Sequence, residues 1–189
     1  MTILSAIQDR YSSRAYLPEQ LTREELSLIL EAARLAPSGV NARSSRIYVL
    51  QTPETLQKLN RAVLEATLRG NAEGISREQA AKLDREAYCF YYHAPTVLLI
   101  TQDPQSYNAF SDTGCLLENA MIQAAALGLG SCWLNNVRRC QGDPEVAALL
   151  REFGVTEGEI VTGGLALGHP ADSFRRSHKQ DGNPVFFVD

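Results

Sequence analysis

Three separated segments carry residue types that suit anion recognition. In DRYSSRAY, Asp9 to Tyr16, Arg10 and Arg14 flank the hydroxyls of Ser12 and Ser13. Planar guanidinium groups, hydroxyls and turn N–H groups can converge as donors on one anion, which is the chemistry of a phosphate site. In APSGVN, Ala36 to Asn41, Gly39 permits close backbone approach, and Ser38 and Asn41 supply short donors and acceptors. In FRRSHK, Phe174 to Lys179, a second basic cluster follows GGLALGHP, Gly163 to Pro170. Taken alone, each segment reads first as a polar surface loop. Two basic clusters in an acidic chain nevertheless point to an anion held from both ends of the sequence.

Other chemistries lack local support. GLGS, Gly128 to Ser131, follows a helical pattern instead of a strand and lacks the GxGxxG spacing of a dinucleotide fingerprint. Neither a P-loop nor a GxSxG elbow is present, and no Cys–His pair is marked by spacing. Cys89, Cys115, Cys132 and Cys140 contain no CxxC, and His93, His169 and His178 do not fall four residues apart, so no metal site is expected. The cysteines read as small reduced hydrophobes. A phosphate-bearing ligand without a protein acid, base or nucleophile suggests a cofactor that carries the reaction itself.

These segments must be placed by the elements around them. A short N-terminal helix precedes DRYSSRAY. TREE, Thr22 to Glu25, is a capping box before Leu26, Ile29, Leu30 and Ala33, an amphipathic helix running to about Leu35. Thr52-Pro53-Glu54 and Asp143-Pro144-Glu145 each set a cap before a first-turn proline and acid. SREQ, Ser76 to Gln79, is a weaker capping box, and GNAEG, Gly70 to Gly74, is a loop between two helices. Strands are expected at Ile47 to Leu50, Thr96 to Ile100, Ser131 to Leu134 and Ile160 to Leu167, with a last apolar run, VFFV, at Val185 to Val188. About five strands alternating with about five helices describe one layered domain over residues 1–189, α+β or α/β with a central sheet. Asp112 to Leu127 is apolar nearly all round, so it requires burial in the core, at a subunit interface, or both. VFFV requires a sheet edge to join, its own or a partner's.

Composition narrows the partners. Of 189 residues, 44% are hydrophobic and 21% charged, ordinary values for a packed domain. A net charge of −4 excludes a chain built as a whole to coat nucleic acid or an anionic membrane. The N-terminus lacks a basic region followed by a long apolar one, and no apolar run approaches the roughly 18 residues of a membrane helix, so a soluble cytoplasmic protein is expected.

In order and spacing, RYSSR (Arg10 to Arg14), APSGVN, DTGCLLEN (Asp112 to Asn119), ALGLGSCWL (Ala126 to Leu134) and LALGHP (Leu165 to Pro170) resemble the FMN-dependent nitroreductase family over nearly the whole chain. The resemblance implies an α+β, three-layer fold with a mostly antiparallel central sheet. It also implies an intertwined homodimer with two FMN molecules at the interface. It assigns Arg10, Tyr11, Ser12 and Arg14 to the phosphate and ribityl chain, completed by Arg175, Arg176 and Lys179. Pro37, Ser38, Gly39 and Asn41 are assigned to the ring and ribityl region, and Leu134 and Asn135 to the N5 side of the flavin. The implied reaction is ping-pong transfer of a hydride from NADH or NADPH, through flavin N5, to a nitroaromatic, quinone or similar acceptor, with no catalytic protein residue.

Two departures stand out. Many members continue Gln-Pro-Trp after the Pro-Ser-Gly-x-Asn turn, where this chain has Arg43, Ser44 and Ser45. Many also have a glycine pair where this chain has Asn135 and Asn136. Both bear on the acceptor more than on the flavin. Alternatives are a flavoenzyme of the same fold with other chemistry, dehalogenation or dehydrogenation, and a non-catalytic flavin-binding or sensing dimer.

Overall fold

The structure is a computed structural model and describes residues 2–171 and 183–188. Its helices begin where short polar side chains satisfy the free N–H groups of a first turn. Thr2 caps α1 (Ile3–Asp9), and Thr22 with Glu25 closes a reciprocal box on α2 (Arg23–Arg34). Thr52 caps α3 (Pro53–Arg69), which ends on Gly70 at φ 84, the left-handed stop a glycine takes without a Cβ penalty. Ser76 and Gln79 box the one-turn α4 (Arg77–Ala81).

Four strands form one antiparallel sheet: β1 (Arg46–Leu50), β2 (Thr96–Gln102), β3 (Gly130–Leu134) and β4 (Ile160–Gly168), in the order β1-β2-β4-β3. The central strands β2 and β4 are apolar and covered on both faces. Val97 and Leu99 of β2 join a core with α3 and α7 (Pro144–Glu152), whereas Leu98 and Ile100 face a second core with α2 and α5 (Ala109–Ala126). The two-residue side-chain period thus divides the molecule into helix, sheet and helix layers. A register shift between Ile100 and Thr101 re-aims the end of the β2–β4 ladder. The short α6 (Asn136–Cys140) follows β3.

The expected fifth strand at Val185–Val188 is not formed. These residues are 75–94% exposed and pair with neither sheet edge. An apolar run needs a neighbour to complete its hydrogen bonds, and no strand among the described residues provides one.

Helix α5 is the most buried helix. Thr113 Oγ1 lies 2.7 Å from Thr162 Oγ1 of β4, and Leu117 packs over Gly163. One stripe remains open: Ser111, Cys115 and Glu118 are exposed and Ile122 is half-buried, at helical spacing. Ile3, Leu4 and Ile7 of the neighbouring α1 are also exposed, so the nearly all-round apolar character of α5 is only partly satisfied within one chain.

A buried carboxylate joins α3 to α7. Asp143 caps α7 through the N–H groups of Glu145 and Val146 at 3.0 and 3.4 Å. It also accepts from Arg69 at 2.9 and 3.2 Å and from Asn71 at 2.7 Å. Burial opposes its ionisation, but the hydrogen bonds from Asn71, Arg69 and the cap N–H groups prevail and hold its pKa below the ordinary value. Because the folded carboxyl titrates below the unfolded one, its stabilisation is complete above about pH 4 and is lost as pH falls through the lower folded value. Asp143→Ala is therefore expected to cost about 2–4 kcal/mol in urea unfolding at neutral pH. The gap from the parent should narrow under acid. A gap that stays constant down to about pH 2 would contradict this account.

Candidate functional site

The first predicted segment leaves α1 at Arg10 in extended conformation and runs along β3. Ser12 bridges Ser131 in parallel, and the Ser13 N–H donates to the Ser131 carbonyl at 2.9 Å. The approach is close: a Cβ on Gly130 would sit 2.9 Å from that of Ser13. Ser13 is fully buried and Tyr16 hydrogen-bonds its carbonyl, so Ser13 serves the core while Ser12 is exposed. Arg10 is half-buried, 4.0 Å from Glu118 of α5, a separation at which a partly exposed pair contributes little. Tyr11 is half-buried. Arg14 is exposed and stands over the ring of Tyr92 at 5.9 Å. A hydrogen bond with the Tyr92 side chain raises the Arg14 pKa above its ordinary value despite desolvation, so the group stays cationic at any working pH.

The chain returns to this place at its other end. Leu17 N–H donates to the His169 carbonyl, and Ala171 N–H to that of Ala15, both at 2.9 Å. The segment that leads into the second basic cluster is therefore bonded to the residue after Arg14. Arg175, Arg176 and Lys179 themselves lie outside the described residues.

Pro37 to Asn41 forms a strained turn between α2 and β1. Val40, Asn41 and Arg43 have φ of 47, 57 and 49°, left-handed values that are unfavourable for side chains and most so for β-branched valine. The base of the turn is fixed from α5: Asp112, buried, accepts the Gly39 N–H at 2.9 Å, and a Cβ at Gly39 would collide with Asn108. Ser38 Oγ accepts the Arg43 N–H, and Asn41 Oδ1 accepts from Arg43 Nε, each at 3.0 Å. Ser44, exposed, and Ser45, half-buried, both bond one side chain. Ser44 donates to Oε1 of the fully buried Gln102 at 2.9 Å, while Gln102 Nε2 donates to Ser45 at 2.5 Å. The unusual Arg43-Ser44-Ser45 stretch thus clasps the turn to the end of β2. A cleft of about 380 Å³ opens beside it, lined by Glu31, Arg34, Pro37, Arg43, Ser45 and Leu116 among others.

Leu134 is buried at the end of β3, and the exposed Asn135 accepts from Trp133 Nε1 at 3.1 Å. Asn136 Nδ2 contacts the Tyr88 hydroxyl at 3.4 Å. Burial pushes the Tyr88 pKa up to about 12, so it remains a neutral phenol. Burial likewise raises the thiols of Cys89, Cys132 and Cys140, which removes them as nucleophiles near neutral pH. Among the described residues no His, Cys, Asp and Glu cluster fits a metal.

The structure unites some predicted residues and separates others. Ser12 and Ser13 are bonded to Ser131 near the start of β3, the strand that ends at Leu134, next to Asn135. Pro37 to Asn41 lie on the other flank of α5. Asp112, bonded to Gly39, and Asn119, bonded to the Ala32 carbonyl of α2, are seven residues apart and share one side of the helix. Glu118, beside Arg10, lies about 120° around from Asp112 at 3.6 residues per turn. Sequence reasoning did not assign Asp112 and Gln102 their roles as anchors. An acid at the start of an apolar helix was the available signal for Asp112; Gln102 had none.

A family model for the Nitroreductase family matches residues 7–169. The chain is 32% identical, with a TM-score of 0.90 and 100% of both chains covered, to the crystal structure of a nitroreductase with bound FMN from Bacteroides fragilis. It is 27% identical to a nitrobenzene nitroreductase of Ectopseudomonas oleovorans, over 86% of this chain and 84% of that one. Identity is also 27% to an FMN reductase (NAD(P)H) of Bacillus subtilis, over 90% of this chain and 66% of the relative.

Strain in the turn can be read directly. Val40 is fully exposed, so Val40→Gly loses no packing and relieves a left-handed valine. It is expected to raise stability to urea by about 0.5–1 kcal/mol. A loss of stability would show that the turn is relaxed as it stands.

Proposed function

This chain belongs to the nitroreductase family, and we propose that it works as an NAD(P)H-dependent FMN oxidoreductase, a single FMN-binding domain over residues 1–189. A bound FMN would supply hydride-transfer chemistry between NADH or NADPH and an electron-poor acceptor, a nitroaromatic or quinone, in ping-pong order. The observation that carries this assignment is that Arg10, Ser12 and Arg14 share one segment bonded to β3 at Ser131. Two guanidinium groups and an exposed hydroxyl suit a phosphate, and the strand continues to Leu134 and Asn135, where the ring is assigned.

The residues bind and orient; none is assigned as acid, base or nucleophile. Arg10, Tyr11, Ser12 and Arg14 would hold the phosphate and ribityl chain, joined by Arg175, Arg176 and Lys179. Leu134 supplies an apolar surface and Asn135 a polar edge beside N5. Pro37, Ser38, Gly39 and Asn41 form the opposing wall, supplied by the second chain of a homodimer. Support for two chains comes from the separation of the two walls across α5 and from the uncovered stripe of α1 and α5. The exposed apolar tail at Val185–Val188 adds to it. Free cysteines throughout agree with a cytoplasmic location, and no described helix is long and apolar enough to cross a membrane.

Titration with FMN should give a yellow protein whose visible flavin absorbance bleaches anaerobically on addition of NADH or NADPH and returns on addition of a quinone. Absence of bleaching with both nucleotides overturns the reductase assignment. Arg14→Ala should weaken FMN about ten- to a hundredfold, the size of one charge-assisted contact of roughly 1.5–3 kcal/mol, with circular dichroism unchanged. Sedimentation should report a dimer; a monomer that retains FMN would refute the second-chain wall.

A further inference from the structure

Left-handed backbone at residues other than glycine falls, among the described residues, on two places only: the Val40–Arg43 turn and the pair Tyr92 and His93, at φ 55 and 59°. Two consecutive bulky residues in that region are costly, of order 1–3 kcal/mol each, and persist only where surrounding structure enforces them. Here the enforcement is visible. Phe90 and Tyr91 are buried and meet edge-to-face at 5.5 Å. Asn60 of α3 accepts the Phe90 N–H at 3.0 Å and donates to the Tyr88 carbonyl at 2.9 Å. Within the turn, the N–H groups of Tyr92 and His93 both donate to Cys89, to its carbonyl and its sulfur, each at 3.1 Å. The core grips residues on either side and packs against one part of the half-buried Tyr92, whose ring meets the Arg14 guanidinium at 5.9 Å.

We propose that Tyr92 is a positioning residue for the anion site: the enforced left-handed turn at Tyr92–His93 holds an aromatic ring and hydroxyl against Arg14 and presets that guanidinium for the phosphate of the flavin nucleotide. This rests on the assignment of Arg14 to the phosphate made above. An arginine on an exposed extended segment carries about 2 kcal/mol of rotamer entropy that a ligand must otherwise remove on binding. An aromatic face within about 6 Å restrains the cation. A neutral phenol does so without cancelling the charge, as a carboxylate would.

The test uses two ligands that differ only in the phosphate, FMN and riboflavin, and the variant Tyr92→Gly. Glycine accepts φ 55° without strain, so the variant removes the side chain while keeping the turn. FMN affinity is expected to fall about five- to twentyfold, from the lost cation–π contact and the restored freedom of Arg14. Riboflavin affinity should stay within about twofold, and urea unfolding reads separately the packing that the half-buried ring gives up against the core. Tyr92→Phe, which keeps the ring, should lie between the variant and the parent. Equal weakening of both ligands would assign Tyr92 a structural role and overturn the proposal, as would unchanged FMN affinity. Arg14→Ala separates the two levels of failure. If it leaves the FMN-to-riboflavin preference unaltered, the phosphate assignment itself is wrong. If it abolishes the preference while Tyr92→Gly does not, only the role of Tyr92 is lost.

Discussion

The arrangement of the molecule depends on how closely α5 can approach β4. Gly163 allows it: a Cβ there would stand 3.0–3.1 Å from Leu117 and Thr113 side-chain atoms, inside ordinary contact. The approach brings the Thr113 and Thr162 hydroxyls together in the core, and Thr162 passes a further bond to the Ile100 carbonyl at 3.3 Å. Once α5 is seated, its two flanks become fixed reference surfaces. One receives the strained turn through Asp112 and α2 through Asn119; the other receives α1 and the start of the basic segment. A wider spacing would loosen both at once, because interiors packed to crystal density have no slack to absorb the shift.

The legible parts of this chain are those written in local chemistry. The caps at Thr22, Thr52, Ser76 and Asp143 set helix starts to the residue, because each satisfies N–H groups two or three positions away. Strand positions followed from short β-rich apolar runs, and β2 was found almost in full. The order of the motifs also placed the basic segment and the proline turn in a recognisable pattern. Long-range facts were not legible. Nothing in the types of Ser44 and Ser45 says that Gln102, more than fifty residues on, will bond them both. Tyrosine and histidine do not advertise left-handed backbone, which their intrinsic preferences oppose. The tail at Val185–Val188 has the composition of a strand, yet a strand requires an edge, and edges belong to the assembled sheet and not to the sequence of the run.

The separation of the proline turn from the basic segment has a simple geometric root. The two segments are assigned to one pocket, and α5 stands between them. The described residues supply each wall with its own rigid support: β3 and the bonded return of the chain at Ala171 for one, Asp112 and Gln102 for the other. Neither wall is a floppy loop awaiting a ligand. Pre-set donors lose little freedom on binding, which is the usual route by which a small set of polar contacts becomes tight and selective.

The Ser44–Gln102–Ser45 clasp also constrains how this protein could have come to differ from its relatives. The amide gives with one end and receives with the other, so it is satisfied only when both hydroxyls are present. Losing a single hydroxyl strands half of a fully buried amide, at about 1–3 kcal/mol, while replacing all three residues with apolar groups of matching shape leaves nothing unpaired. The surface between those states is a valley with two floors and a ridge. The energies of substitutions at positions 44, 45 and 102 should therefore be strongly non-additive when combined.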